Sequence, residues 1–441
     1  MYGLVRIQVR ILIITDEVWN DKIHGNNILT NWFEGFNAEF ANIYCSPGQP
    51  LNNCCKVYFQ VTDKMMLKSF FGGKRAGIEL LMDNLQGNNH VIDVEQEDKR
   101  LYTFLKSITT ESMRALREFL WFYGKYDEDK LKQFIEKFNP DIIFSPRKAS
   151  LKILRLERII KKIANKPMVV FTGDDEYSLH QLRFSPVYWI LRLKVRKELK
   201  KNMSLYSLYY THSKEQGEIY NKKFNIKTKT LFKCSNFSKI IENKTVNKPI
   251  KLVYAGKLYC NRWKSLAEIA KALKKINQYE TKMILEIYTK DKLSKKQKRL
   301  LDDRKNSFVK GPVSADDLVD IYKNSDIALH VESLDIKNRL LTKFSFSTKI
   351  IDCLASGCAV MAICWDQHTG YLYLKEKDAA LCINNYHEIS KTLQRICDNP
   401  DLINEYSMKA VKCGLLNHKK DVVQQNIYND FTEIINSFNY N

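Results

Sequence analysis

Short apolar runs of strand type alternate with amphipathic helical stretches along most of this chain, and the alternation stops once and starts again. In the first half, residues 7–15 read as a strand, 28–41 as an amphipathic helix and 41–45 as a second strand, closed by the turn cluster SPGQP. DKLKQFIEKFNP reads as a helix ended by Pro140; DIIFSP and PMVVFTG are buried strands around a further helix, and LYSLYYTHS is another strand. Parallel neighbours need a long crossover, which a helix supplies, so this order predicts a doubly wound α/β sheet. Residues 240–248, IIENKTVNK, lack periodicity and read as a linker. The pattern then resumes: KLVYAG, MILEIYT, SFVKG, DIALHVES and CAVMAIC as strands, with SLAEIAKALKKI, SKKQKRLLDDR and SADDLVDIYKNS as the helices between the earlier ones. The expected domains are 1–240 and 249–416, followed by a helix over 417–441 (VVQQNIYNDFTEIINSF) that packs back on the first domain.

The 441 residues, 44% of them hydrophobic, suffice for two cores. Eleven cysteines are scattered without a CxxC or a Cys/His cluster at ligand spacing, so neither a disulfide framework nor a metal site is expected, and no cofactor. The run LVRIQVRILIIT is broken by Arg6 and Arg10 and reads as a first strand rather than a secretory leader. No run approaches the ~18 apolar residues of a membrane span. The expected location is the cytoplasm, including the inner face of the cell membrane. A formal charge of +21 calls for anionic partners: phosphorylated small molecules, an acidic membrane surface or nucleic acid.

Residues 344–362, FSFSTKIIDCLASGCAVMA, read as loop, helix and buried strand, with Ser347 as the N-cap and Gly357 as the stop. Thr348 and Asp352 stand four residues apart, on one face about 6 Å along the axis. Free amides at such a helix start suit a phosphate, and a carboxylate one turn on suits a ribose diol. A capped structural helix with a Lys349–Asp352 surface pair fits the same spacing. In GKLYCNRWKS, Lys257 and Arg262 lie in the loop leaving a strand, placed to neutralise a diphosphate or to be solvated. Glu332 ends DIALHVES at the strand's carboxyl edge, whereas His330 within that strand reads as core.

These loops resemble the carboxy-terminal domain of GT-B glycosyltransferases, in particular the large retaining family 4 (glycosyl transferases group 1). There a Gly-Arg/Lys-Leu segment is followed five residues on by a second base, as Lys257 and Arg262 are in GKLYCNRW. KIIDCLASGCAV is similar to the family's helix with an acidic residue before Ala-x-Gly, with Asp352 in the acidic position, and SFSTK resembles a variant branch. The family's earlier glutamate falls on Phe344, which leaves Glu332 and Asp335 as acidic candidates. The resemblance implies two Rossmann-like domains facing across a cleft, a nucleotide-sugar donor, retention of configuration and no bound metal. It assigns the diphosphate to Lys257, Arg262 and the helix start at Ser347, Thr348 and Lys349, and the ribose to Asp352.

In such enzymes the first domain binds the acceptor and offers a glycine-containing loop after its first strand, here Gly25 and Asn26 in HGNN, counted with the donor site. Asp174 and Asp175 follow the strand PMVVFTG, and Asp174 is taken with Glu332 as a catalytic candidate. The basic, aromatic segment 186–203 fits an anionic membrane surface as well as a solvated helix face. The expected activity is transfer of a sugar to a glycan or lipid-linked acceptor in building a bacterial surface polysaccharide or glycoconjugate. A GT-B-fold nucleotide-sugar epimerase and a basic nucleic-acid-binding protein are the rivals. No RNA- or DNA-binding motif supports the latter, and no GxGxxG follows a strand to support a dinucleotide enzyme.

Overall fold

The computed structural model describes residues 8–22, 28–81, 111–237 and 245–440. Gly25 and Asn26 lie outside them. The described residues divide into two compact units, one drawn from Met1–Leu179, Arg183–Leu231 and Gln424–Asn441, the other from His180–Leu182 and Phe232–Val423.

In the first unit the order is β1 (Val9–Thr15), α1 (Ile28–Phe33), β2 (Ala38–Tyr44), β3 (Val57–Gln60), α2 (Asp63–Phe70), β4 (Ile78–Leu81), α3 (Glu111–Tyr123), α4 (Glu128–Phe138), β5 (Ile142–Pro146), α5 (Leu151–Ala164), β6 (Met168–Thr172), α6 (Pro186–Asn202), β7 (Tyr206–Thr211), α7 (Lys214–Phe224) and β8 (Thr228–Thr230). The eight strands lie in the order β4-β3-β2-β1-β5-β6-β7-β8, parallel except for β4 against β3. Ile11 to Ile14 of β1 are fully buried, as a central strand covered on both faces requires. Helix ends follow local chemistry. Ser150, Ser185 and Ser213 each accept the backbone N–H three residues on, and Asn139, Asn165 and Asn225 stop helices in the left-handed conformation usually left to glycine. Thus Asn139, rather than Pro140, closes α4.

One expectation fails here. The helix over 28–41 ends at Phe33, and β2 starts at Ala38. Phe33, Phe36 and Phe40 imitate a helical stripe, but Gly35 takes φ +76° and folds the chain, so these rings cluster with centroids 5.0–6.5 Å apart across the turn.

The second unit contains β9 (Ile250–Ala255), α8 (Arg262–Ile276), β10 (Met283–Tyr288), α9 (Lys295–Leu301), β11 (Ser307–Gly311), α10 (Ala315–Lys323), β12 (Ile327–Val331), α11 (Ile336–Thr342), α12 (Lys349–Ala355), β13 (Ala359–Ile363), α13 (Thr369–Glu376), β14 (Leu381–Ile383), α14 (His387–Asp398) and α15 (Asp401–Asn417). Its six parallel strands run β11-β10-β9-β12-β13-β14, which is the 3-2-1-4-5-6 order of a Rossmann sheet. The order reverses between β9 and β12. Ligands bind outside the carboxyl ends of strands at such a switch point, so Gly256 and Glu332, which follow those two strands, mark the place to look.

A last helix, α16 (Lys420–Asn439), is counted with the first unit from Gln424 on. There the Tyr210 hydroxyl donates to Asp430 at 2.6 Å, and the Phe431 ring lies 5.5 Å from that of Phe144. Among the described residues no helix is long and apolar enough to cross a membrane.

Candidate donor site in the second unit

Arg262 is not in a loop: it opens α8 and is 6% exposed. Its guanidinium stacks over the Tyr259 ring at 4.5 Å and grips Glu332 through two bonds, Nε to Oε2 at 3.0 Å and Nη2 to Oε1 at 2.5 Å. Burial alone would weaken the guanidinium's charge, but Glu332 beside it raises its pKa further. The Nη1 group has no hydrogen-bond partner among the described residues.

Beside this pair stands Lys349, the first residue of α12. Its Nζ donates to the Tyr254 hydroxyl at 3.1 Å and lies over the Tyr254 ring at 4.6 Å. Burial, then the neighbouring Arg262 charge, lowers its pKa to about 8. Gly256 has φ +148°, which favours glycine, and a Cβ there would displace the end of the Lys349 side chain. Two cations at the switch point, with the one carboxylate bonded to Arg262, leave an electrostatic demand for an anion. Lys257 is exposed, and its carbonyl accepts the Tyr254 hydroxyl at 2.6 Å.

The helix start differs from the expected one. Thr348 rather than Ser347 stands at the N-cap of α12, in helical geometry and with no side-chain cap bond. Ser347 contributes its carbonyl to Ile350 N–H at 3.0 Å. Nor do Lys349 and Asp352 pair: Asp352 accepts from Lys233 at 2.9 Å and keeps about a third of its side chain exposed. Phe344, where the family's glutamate would fall, is buried. Asp335 caps α11, and hydrogen bonds from Ser333, Asn338 and Asn261 outweigh burial to hold its carboxyl well below the usual range.

The fold also assembles a cluster unforeseen from spacing. His330, Cys364 and His368 are buried, with ligating atoms within 4.8 Å of one another. Burial keeps both imidazoles neutral and the thiol protonated. His368 Nδ1 accepts the Gly370 N–H at 3.1 Å, so the ring proton sits on Nε2, and the charges of Arg262 and Lys349 reach His330. With the rings neutral, the thiol protonated and the Arg262 and Lys349 charges nearby, the cluster reads as core.

In the first unit Asp174 follows β6, half exposed and paired with Lys148 at 3.3 Å. Asp175 is committed to structure, accepting the N–H groups of Tyr177 and Ser178 and pairing with Arg192. His180 is exposed. His212, at the end of β7, is buried and driven to a pKa of about 4 by burial. On α6, Ile190 and Leu193 are 66% and 51% exposed.

Residues 258–423 match the family model described as "Glycosyl transferase-like". The whole chain resembles solved GT-B structures at low identity. The Anabaena Alr3699/HepE protein in complex with UDP gives a TM-score of 0.60 at 11% identity, over 96% of this chain and 100% of that one. The E. coli trehalose-6-phosphate structure bound with UDP-2-fluoro glucose gives 0.58 at 10%, over 96% and 99%. The whole chain thus has the GT-B fold, and its second unit carries a glycosyl transferase-like segment. TarM gives 0.50 at 15% identity over 70% of this chain, which spans 58% of TarM's length. No curated protein matches it by sequence.

Spacing in the sequence picked out Arg262, Lys349 and Glu332 separately, and the fold joins them. It gave no sign of Tyr254 or Lys233. Gly256 stood in the GKL segment without a role, although a glycine directly after the first strand of a Rossmann sheet marks close approach.

Proposed function

We propose that this glycosyltransferase takes a nucleotide-diphosphate sugar as donor and passes the sugar to a glycan or lipid-linked acceptor, with retention and without a metal, in surface polysaccharide or glycoconjugate synthesis. The observation that carries the donor reading is the pair of cations, Lys349 and Arg262, held at the switch point of a 3-2-1-4-5-6 sheet around a glycine turn. In this reading they take the diphosphate, helped by Lys257 and by Ser347 and Thr348. Asp352 takes the ribose with the carboxylate oxygen that Lys233 leaves open. As the leaving group departs, its growing negative charge meets cations already in place, which lowers the barrier without reorganisation. Asp174, at a strand's carboxyl edge and half exposed, is the acidic group proposed to face the transferred sugar. The exposed Ile190 and Leu193, with Lys194 and Lys197 on the same helix, favour docking of the enzyme on anionic lipid. UDP in the Anabaena structure and UDP-2-fluoro glucose in the E. coli one make uridine nucleotides the first probes.

The test is thermal stabilisation by UDP, GDP, CMP and dTDP. A ligand at a hundred times its Kd stabilises by about 2.7 kcal/mol, a shift that melting reads directly. Stabilisation by at least one nucleotide is expected, and none would overturn the donor site. Release of nucleotide from a sugar donor only when acceptor is present separates transfer from epimerisation.

A further inference from the structure

We infer that Glu332 is a positioning residue for the donor diphosphate, acting through Arg262, and not a contact to the transferred sugar. This rests on the donor reading above.

Both oxygens of Glu332 are engaged by Arg262, and the residue is 3% exposed. Its backbone is fixed as well: its N–H donates to the Ile363 carbonyl at 2.9 Å, and its own carbonyl accepts the Ser265 hydroxyl at 2.6 Å. A carboxylate locked in this way between β12 and α8 has no free face for a sugar hydroxyl. What it does is orient a planar fork. A guanidinium offers two edges, and the edge formed by Nε and Nη2 is occupied by Glu332 while Tyr259 covers one face of the plane. Nη1 remains to meet a phosphate oxygen.

The charges support this division of labour. Arg262 and Glu332 cancel, so the net attraction for a diphosphate comes from Lys349, and Arg262 supplies direction. The two roles respond oppositely to one substitution. Glu332→Gln removes a negative charge beside the site, so on field alone it would tighten anion binding. On position it weakens binding, because one Gln oxygen replaces two acceptors and the amide N–H groups oppose those of the guanidinium.

The experiment compares UDP with uridine by calorimetry on the full chain, substituting GDP or dTDP and its nucleoside if that nucleotide stabilises the wild type best. Glu332→Gln is expected to bind UDP at least tenfold more weakly with uridine affinity unchanged. Glu332→Asp, which keeps the charge but withdraws the carboxylate by one methylene, is expected to lose about three- to tenfold. Melting and circular dichroism confirm the fold; if the Gln variant does not fold, the Asp variant decides alone. Equal or tighter UDP binding in the folded variants would overturn the inference while leaving the donor reading intact. So would a loss confined to the sugar nucleotide with UDP unaffected, since that marks a sugar contact. If the wild type binds no nucleoside diphosphate, both fall.

Discussion

With its pKa near 8, Lys349 would make binding of the proposed donor a proton-uptake reaction, and the size of the effect follows from the site. Lys349 is brought down from 10.5 to about 8 by burial and by Arg262, against smaller opposing pulls from Cys353, Glu332 and Asp352. Tyr254 holds its Nζ, and burial keeps His330 nearby neutral. The depression corresponds to about 3 kcal/mol against the ammonium form. A diphosphate resting on Nζ removes that cost, returning the bound-state pKa toward or above 10.5. Only the protonated form then binds well, and affinity falls as pH rises through 8. Between pH 7 and pH 8.5 the expected weakening is about fourfold, with ~0.1 proton taken up per UDP at pH 7, ~0.5 at pH 8 and ~0.8 at pH 8.5. Titration calorimetry in two buffers of different ionisation enthalpy measures both quantities; UDP's own second phosphate ionisation (about pH 6) is only about nine-tenths complete at pH 7, so the uptake is read at pH 8 and 8.5. Lys349→Met should bind more weakly and lose the uptake. Affinity that stays flat to pH 8.5, or uptake that persists in Lys349→Met, would refute the reasoning. The ligand-free protein shows the opposite sign: a lysine depressed in the native state alone makes stability rise with pH between about 8 and 10.5, as the unfolded chain then holds the extra proton.

Three further outcomes test the structure elsewhere. Gly256→Ala, which forces a side chain into left-handed backbone and onto Lys349, should cost about 1–3 kcal/mol in unfolding experiments and abolish UDP stabilisation; normal UDP binding would show that the turn is not part of the site. Glu157→Gln breaks a buried network in which Glu157 accepts from Arg147 and Ser145 through one oxygen and from Tyr206 and Asn202 through the other. Leaving Arg147 short of a partner should cost about 3–5 kcal/mol in denaturant unfolding. Phe431→Ala, at a side chain 1% exposed against Phe144, should destabilise by about 3–5 kcal/mol, and a loss below 1 kcal/mol would mean that α16 is not part of the first unit's core.

Much of this was legible in the residues because it is local. Strand runs such as KLVYAG and DIALHVES are decided by burial period and nearest hydrogen bonds, and they fall where the sequence places them. Asn139, Asn165 and Asn225 do the work of helix-stopping glycines by the same local logic. The reading failed where two periods coincide, as at Phe33, Phe36 and Phe40, whose spacing fits a helix although the rings meet around a turn. It also failed at Ser347, where a good capping residue stands one position too early.

The alternation of runs along the chain compels two mainly parallel sheets, and the residue types that a diphosphate site needs are already present in it. Their pairing had to wait for the fold. Asp352 went to Lys233 and Lys349 to Tyr254, and Glu332 closed on Arg262 across 70 residues. Charges choose partners by distance through a low-dielectric interior, and that distance exists only once β9, β12 and α12 have met.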